Sequence, residues 1–350
     1  MGWLLLAPAV AVLSACQGLG TGAPASTPAT PGAEASPPAP ANASAASPAG
    51  AAAADSLVVE PSGGYASLYQ AIAAATTSID LVMYELSDPQ AEELLAQASG
   101  RRVNVRVILD QAYARSENEA AYAYLAGHGV AVHWSSTHVD ITHQKTLVVD
   151  GREALVMTGN LTPQYYSTTR DFIVVDTDAR DVAAIGQTFD ADFDDASAVP
   201  SAADDLVWSP GSEAALAGII SGASSELLVE NEEMADPVIV SALEGAARRG
   251  VNVEVCMTYS SSWNSEFSEL SQAGVHIRTY SPDASLYIHA KAILADPDRG
   301  SEKLFVGSEN FSDTSLLHNR ELGIMVGTPA IVTQMEAVLS QDFEGGTPTA

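Results

Sequence analysis

The chain has 350 residues, of which 47% are hydrophobic, and this is enough apolar material for about two domains with buried cores. Its 44 acidic residues far outnumber its 15 Lys and Arg residues, which gives a formal net charge of -29. Because nucleic-acid affinity comes largely from cations that displace counterions at phosphates, this charge disfavours non-specific binding to DNA or RNA. The two cysteines, Cys16 and Cys256, are too few for a disulfide framework.

The chain begins with an apolar run from Trp3 to Leu13, followed by Ser14, Ala15 and Cys16. A run of this length is too short to span a bilayer and is typical of the apolar core of a signal peptide. Leu-Ser-Ala-Cys resembles the lipobox of bacterial lipoproteins, although no Lys or Arg precedes the apolar run. The resemblance implies a signal peptide over residues 1–16, lipidation of Cys16 and an extracytoplasmic, membrane-anchored location. The alternative is a secretory signal with an incidental cysteine.

Residues 17–54 consist almost entirely of Ala, Pro, Ser, Thr and Gly, and Glu34 is the only charged residue among them. Such a segment cannot bury enough apolar surface to offset the entropy of ordering it. We therefore expect a disordered tether between the membrane anchor and the rest of the chain.

The remaining sequence repeats one plan over residues 55–200 and 201–345, which we call the first and second halves. In each half, apolar strand patterns alternate with helical stretches, and this alternation favours an α/β fold. Two matching domain-sized units are expected to pack about a pseudo-two-fold axis, as an isologous dimer does. The sequence therefore predicts two similar α/β/α sandwich halves, with an active site at their interface.

Two motifs of the form H-x-K-x4-D lie at corresponding places in the two halves. Their residues are His143, Lys145 and Asp150 in the first half and His289, Lys291 and Asp296 in the second. In a strand, residues two apart project from the same face, so each His and Lys can converge on one substrate group. Two such pairs facing each other supply four groups around a tetrahedral phosphorus, and the lysines can stabilise the negative charge of its transition state.

Further polar residues follow each motif at corresponding positions. Asn160 and Asn310, with the hydroxyls of Thr158 and Ser308, are candidate substrate-binding donors. Asp171 and Glu321 are candidates for orienting the histidines, because a carboxylate fixes the tautomer of an imidazole and supports its charged form. Asp150 and Asp296 complete the candidate catalytic set, with a structural role in holding the strand-turn geometry as the alternative.

These motifs resemble the H-K-D motifs of the phospholipase D superfamily, and the resemblance covers residues 55–345. It implies metal-independent phosphodiester cleavage through a phosphohistidine, without a cofactor. His143 would attack phosphorus and His289 would protonate the leaving alcohol, by the usual preference of the family for its first motif. The family pattern Gly-Ser-x-Asn is kept at Gly307–Asn310, whereas residues 157–160 read Met-Thr-Gly-Asn, which puts the backbone geometry of the first half in doubt.

The preferred hypothesis is a monomeric, membrane-tethered phosphodiesterase that cleaves glycerophospholipids by hydrolysis or headgroup transfer. Its expected partners are a phospholipid substrate and a membrane reached through lipidated Cys16, and no nucleic acid is expected. The alternatives are a cardiolipin synthase-like phosphatidyltransferase, a secreted endonuclease, and a module that binds phosphate headgroups without turnover. A metal site is disfavoured because a Lys stands beside each His. The acidic residues Glu230, Glu232 and Glu233 are interpreted as a solvated rim, with substrate selectivity as the less favoured alternative.

Overall fold

A computed structural model describes residues 56–197, 199–203, 205–297, 299–300 and 302–349. The predicted signal peptide, the lipidation site at Cys16 and the predicted tether lie outside these residues. No helix within the described ranges is long and apolar enough to cross a membrane.

The first half is built from short strands and four helices within its described residues. Its strands are β1 (Ser56–Val59), β2 (Ser78–Met83), β3 (Asn104–Leu109), β4 (Ala131–Trp134), β5 (Thr146–Val149), β6 (Glu153–Met157), β7 (Thr169–Arg170) and β8 (Phe172–Asp176). Its helices are α1 (Ala66–Ala74), α2 (Pro89–Gly100), α3 (Arg115–Gly127) and α4 (Ala179–Phe193).

The second half repeats this order of elements. Its strands are β9 (Leu206–Ser209), β10 (Glu226–Glu230), β11 (Asn252–Thr258), β12 (His276–Tyr280), β13 (Tyr287–Ile288), β14 (Lys291–Ala295), β15 (Lys303–Gly307), β16 (Glu321–Val326) and β17 (Thr347–Pro348). Its helices are α5 (Glu213–Gly222), α6 (Pro237–Arg248), α7 (Asn264–Ala273), α8 (Asp313–Leu317) and α9 (Pro329–Gly345).

Each half contains one mixed sheet, and the two sheets share one strand order. The first sheet runs β1-β8-β6-β5-β2-β3-β4, and the second runs β9-β16-β15-β14-β10-β11-β12 with β17 added at its edge. In both, three adjacent strands are parallel and the others are antiparallel. The predicted α/β architecture of two similar halves is therefore confirmed.

The same local signals begin corresponding helices in the two halves. Asp88 and Asp236 precede α2 and α6, and each carboxylate accepts hydrogen bonds from two backbone N–H groups of the first helical turn. Pro89 and Pro237 then occupy the first helical position, where the missing N–H group costs no hydrogen bond. The parallel part of each sheet is thus followed by a helix whose start is specified by the sequence.

Alternation along the central strands divides the apolar residues between two layers. In β5, Leu147 and Val149 pack against the helices of their own half, whereas Val148 belongs to a core shared with the second half. Leu294 of β14 lies in the same shared core, as do residues of α4 and α9. Burying one such side chain contributes about 1.5–3 kcal/mol, so this shared core holds the two halves together.

A third, two-stranded sheet also crosses between the halves. β7 pairs with β13 in parallel, with Thr169 opposite Tyr287 and Arg170 opposite Ile288. This pairing brings the segment before the second motif against the segment that carries Asp171.

Candidate active site

The two predicted histidines lie at the start of equivalent central strands, close to the interface of the halves. The backbone N–H of His143 donates to the Arg320 carbonyl at 2.9 Å, and that of His289 donates to the Arg170 carbonyl at 3.3 Å. Each histidine is therefore held by backbone from the opposite half. Only 13% and 15% of the two side chains is exposed, so both rings are mostly buried.

The carboxylates that hold the imidazoles are paired crosswise. Nδ1 of His143 lies 2.8 Å from Glu321 of the second half, and Nδ1 of His289 lies 2.8 Å from Asp171 of the first half. The structure thus brings both candidate orienting residues to a histidine. Because an ionised carboxylate only accepts hydrogen bonds, each Nδ1 carries a proton, and Nε2 is left to meet substrate as a lone pair in a neutral ring or as an N–H donor in a protonated one.

Burial sets the charge of these groups. It lowers the pKa of His143 from its usual value, the Glu321 carboxylate acts in the opposite direction, and Lys145 lowers the pKa further. Burial also acts to raise the pKa of Glu321 and of Asp171, but the paired imidazoles, the neighbouring lysines and hydroxyl hydrogen bonds together outweigh it, and both carboxyls have a lowered pKa. The resulting state is a neutral His143 held by an ionised Glu321, as a nucleophile requires.

The two lysines are fully buried beside the histidines but have different neighbours. Nζ of Lys145 donates to the His143 carbonyl at 2.6 Å and lies 5.0 Å from the centre of the Tyr84 ring. Nζ of Lys291 donates to the His289 carbonyl and also lies 3.1 Å from Glu232. Burial lowers the pKa of Lys145 to about 7, although Glu321 acts to raise it.

The hydroxyls predicted to bind substrate are buried and hydrogen-bonded within the protein. Thr158 donates to Asp171 at 2.6 Å and accepts from the Phe172 N–H at 2.9 Å. Ser308 accepts from the Leu322 N–H at 3.2 Å. Both residues are fully buried, as are Lys145 and Lys291, and their assignment as substrate ligands stays a prediction. Thr158 supports the carboxylate that holds His289, and Ser308 links two strands.

The two candidate asparagines have unused hydrogen-bonding capacity. Among the described residues, Oδ1 of Asn160 and Oδ1 of Asn310 are buried without a hydrogen-bond partner. Each asparagine precedes a residue that pairs with the segment after β2 or β10, namely Leu161 with Leu86 and Phe311 with Met234. This places both amides beside the segments that carry Tyr84 and Glu232.

Gly159, which lies between Thr158 and Asn160, has a steric explanation. A Cβ atom at Gly159 would lie 2.8 Å from Cγ of Asp171, which is too close for a real contact. Glycine at this position therefore makes room for the carboxylate that holds His289. The second half has Glu309 at the corresponding position and instead has glycine at Gly323, where a Cβ would meet the Phe305 ring at 2.2 Å.

The two motif aspartates bind turns at the other end of their strands. Asp150 accepts hydrogen bonds from backbone N–H groups and hydroxyls of residues 76–78, and Asp296 does the same for residues 224–226. Burial acts to raise the pKa of both carboxyls, but these hydrogen bonds outweigh it and hold the pKa well below its usual range. Both residues lie at the turn after the strand, opposite to the end that carries His and Lys. These contacts favour the structural alternative for Asp150 and Asp296 over the predicted catalytic role.

Two buried ion pairs cross the interface next to the crossed carboxylates. Arg320 binds Asp192 of α4 through two hydrogen bonds of 2.9 and 3.0 Å, and Arg170 binds Asp342 of α9 through bonds of 2.5 and 2.9 Å. We call these pairs the interface clamps. Since each arginine directly precedes Glu321 or Asp171, each clamp fixes the backbone that presents a carboxylate to the opposite histidine.

Sequence reasoning missed several residues that complete this site. Ser315 and Asn319 donate to the second oxygen of Glu321 at 2.6 and 3.1 Å. The ring of Tyr84 packs edge-on against His143. Glu232, which the sequence analysis assigned to a solvated rim, lies beside Lys291. The equivalence of the segments after β2 and β10 is the sequence signal that could have identified Tyr84 and Glu232. For Ser315 the sequence contains no such signal.

No group of three or more His, Cys, Asp or Glu residues suited to a metal ion is found among the residues that the structure describes.

Comparison with known proteins identifies the family. The family described as "Cardiolipin synthase, PLD-like domain" matches residues 68–193 and 216–343, once in each half. The chain therefore belongs to this phospholipase D-like family, and its internal duplication is a duplication of that domain.

Individual relatives match at lower levels of identity. Cardiolipin synthase A of Pseudomonas putida (strain GB-1) is 30% identical over 117 residues, which cover 31% of this chain and 23% of that enzyme. Phosphatidylserine synthase of Haemophilus influenzae Rd KW20 has a similar structure, with a TM-score of 0.64 at 11% identity over 85% of this chain and 88% of that one. Polyphosphate kinase of Porphyromonas gingivalis gives a TM-score of 0.66 at 14% identity over 81% of this chain and 46% of that one. These two structures share the fold.

Proposed function

We propose that the protein is a phospholipase D-like phosphodiesterase that cleaves glycerophospholipids through a phosphohistidine intermediate. The observation that carries this proposal is the pair of crossed carboxylate–histidine contacts, which leaves Nε2 of both His143 and His289 for substrate, each beside a buried lysine. One phosphodiester bound between the rings could be attacked from one side and protonated on the other.

In the first step, the Nε2 lone pair of His143 forms a bond to phosphorus and the bond to the leaving oxygen breaks. The proton on Nε2 of His289 moves to that oxygen, and the alcohol departs. Glu321 stabilises the positive charge that develops on His143, because it accepts from Nδ1 at 2.8 Å. Lys145 is placed to stabilise the phosphoryl oxygens while it is protonated.

In the second step, His289 takes a proton from water or from an acceptor alcohol, whose oxygen then attacks phosphorus. The bond between phosphorus and His143 breaks, and the free enzyme is restored. Water gives phosphatidic acid, whereas an alcohol gives a new phospholipid. Headgroup transfer is a specific candidate because the family and its Pseudomonas putida relative are named for cardiolipin synthesis.

The proposed setting is a membrane surface outside the cytoplasm. It rests on the resemblance of residues 13–16 to a lipobox and on the composition of residues 17–54, which suits a tether. Labelling with a radioactive fatty acid, with and without Cys16→Ala, tests this assignment. Equal labelling of both proteins would contradict it.

The test of function is product release from mixed phospholipid vesicles and from single-stranded DNA, in EDTA, with and without added glycerol. We expect lipid products from the wild type, none from His143→Ala, and ordinary activity from the matched control His276→Ala, whose side chain is exposed. Glycerol should divert product from phosphatidic acid to phosphatidylglycerol if transfer occurs. DNA cleavage with intact lipid would replace this proposal with a nuclease, and headgroup binding without product would indicate a binding module.

The identity of the nucleophile is tested with a diester whose leaving group, p-nitrophenol, departs without a proton. His289→Ala should still release one equivalent of nitrophenol and trap phosphorus on His143. Trapping on His289 in the His143→Ala protein would reverse the assignment.

A further inference from the structure

Position 84 in the first half and position 232 in the second follow equivalent strands, but they carry different chemistry. Tyr84 places its ring centre 4.7 Å from the ring centre of His143. Glu232 places Oε2 3.1 Å from Nζ of Lys291 and 3.6 Å from Nε2 of His289, and it accepts a hydrogen bond from the Tyr287 hydroxyl at 3.0 Å. The site is therefore aromatic beside one histidine and anionic beside the other.

The Glu232 carboxylate is ionised and only 26% exposed. Burial acts to raise the pKa of its carboxyl, but Lys291 and His289 outweigh burial and hold the pKa well below its usual range. In the resting protein, Glu232 is the counter-ion of Lys291. A substrate phosphoryl group that approaches Lys291 meets this carboxylate, and like charges repel unless a cation accompanies the phosphate.

Two further acidic residues lie near these groups. Glu85 is near enough to His289 and Lys145 for both to lower its pKa, against the larger effect of burial. Glu233 follows Glu232 directly and is partly exposed. Burial raises the pKa of both carboxyls, so the negative potential at Nε2 of His289 is assigned to Glu232, whose Oε2 lies 3.6 Å away.

In-line displacement fixes which part of the substrate meets this potential. The attacking and leaving groups stand on opposite sides of phosphorus in phosphoryl transfer. With His143 as nucleophile, the leaving oxygen lies at Nε2 of His289, and the carbon chain attached to that oxygen lies within reach of Glu232. The other substituent of phosphorus, which stays bound, does not point to Glu232.

We propose that Glu232 forms the subsite for the leaving alcohol and selects phosphodiesters whose leaving alcohol carries a protonated amine. This inference rests on the proposed function. The ammonium group of the substrate replaces Lys291 as the partner of Glu232, and Lys291 is released to bind a phosphoryl oxygen. The amine stays protonated throughout, and the proton that the leaving oxygen receives comes from His289.

The experiment compares two short-chain lipids with the same diacylglycerol phosphate and different leaving alcohols, ethanolamine and glycerol. Both lipids are kept monomeric, so that surface charge does not affect the comparison. Charge-assisted hydrogen bonds support a preference of about tenfold in kcat/KM for the ethanolamine lipid with the wild type. In Glu232→Gln this preference should fall to about twofold or less, mainly through a higher KM for the ethanolamine lipid.

Glu119→Gln is the matched control, because it removes the same charge at an exposed position of α3. Glu232→Asp keeps the charge and should keep part of the preference, which separates a charge effect from misfolding. An unchanged preference in Glu232→Gln, or an equal loss with both lipids, would overturn the inference. A wild type that cleaves both lipids equally refutes this inference alone, whereas a wild type that cleaves neither refutes the proposed function with it.

Discussion

The interface clamp between Arg320 and Asp192 gives a quantitative prediction. Their side chains are 7% and 14% exposed and share two hydrogen bonds. Breaking such a buried pair by removing one partner costs about 3–5 kcal/mol, because a charge is left buried without a counter-ion. The two partners are not equivalent in this respect. Burial raises the pKa of Asp192, so its carboxyl can take a proton when Arg320 is lost, whereas a stranded guanidinium stays charged.

We therefore expect Asp192→Asn to lower the free energy of unfolding by about 3–5 kcal/mol and Arg320→Met to lower it by less. The double variant Asp192→Asn/Arg320→Met should recover much of the loss, because it leaves no buried charge. Urea denaturation of the full chain measures all three. Arg248→Met is the matched control, since its ion pair with Glu244 is at the surface and contributes about 0–1 kcal/mol.

Loss of the ion pair between Arg320 and Asp192 should also lower activity. Arg320 donates its backbone N–H to Ile141, accepts from His143 and precedes Glu321. At temperatures where Asp192→Asn is still folded, kcat should fall further than substrate affinity, because the His143–Glu321 contact loosens. Strictly additive unfolding energies in the double variant, or a destabilised Asp192→Asn protein with unchanged kcat, would refute the reasoning.

Three further predictions concern single groups. Lys145 has a pKa of about 7 and is mainly charged below it, so kcat/KM should fall as pH rises through about 7. Bound phosphate favours the charged form, so kcat should fall only at a higher pH. Alkaline limbs of kcat and kcat/KM at the same pH would contradict this. Asp296→Asn should lower stability by about 2 kcal/mol in thermal denaturation and leave kcat within about twofold, whereas a large loss of kcat would support its catalytic assignment. Gly159→Ala should lower kcat about tenfold or more, because the added Cβ displaces Asp171. Gly186→Ala is the control, since a Cβ there meets no atom within 4 Å, and it should leave kcat unchanged. Equal activities of the two variants would show that Asp171 can move without cost.

The duplicated architecture and the central groups of the site could be predicted from the sequence. Both depend on local regularities, namely strand and helix periodicity and the two-residue spacing of His143 with Lys145 and of His289 with Lys291. Alternation shows that two side chains share a face. It does not show which end of the strand meets the substrate, and this is why Asp150 was assigned to the chemistry although it binds the turn at residues 76–78.

Contacts between the halves could not be predicted in the same way. That Glu321 serves His143 and Asp171 serves His289 depends on how the two sheets pack through their shared core. The hydrogen-bond partner of the Thr158 hydroxyl could not be predicted either, because a hydroxyl can donate inward or outward, and packing in the folded protein decides between the two. The clamps join arginines and aspartates that lie more than 100 residues apart, and no spacing rule connects such positions.

The crossed pairing of histidines and carboxylates has a consequence for how such a site can change over time. In an isologous dimer of identical domains, one substitution alters both copies of a position, so the two histidines must keep the same surroundings. Joining the copies in one polypeptide removes that constraint. Position 84 can then be tyrosine while its counterpart 232 is glutamate, and position 171 can be aspartate while its counterpart 321 is glutamate. Two copies joined in one chain can thus present two chemically distinct sides to a single substrate.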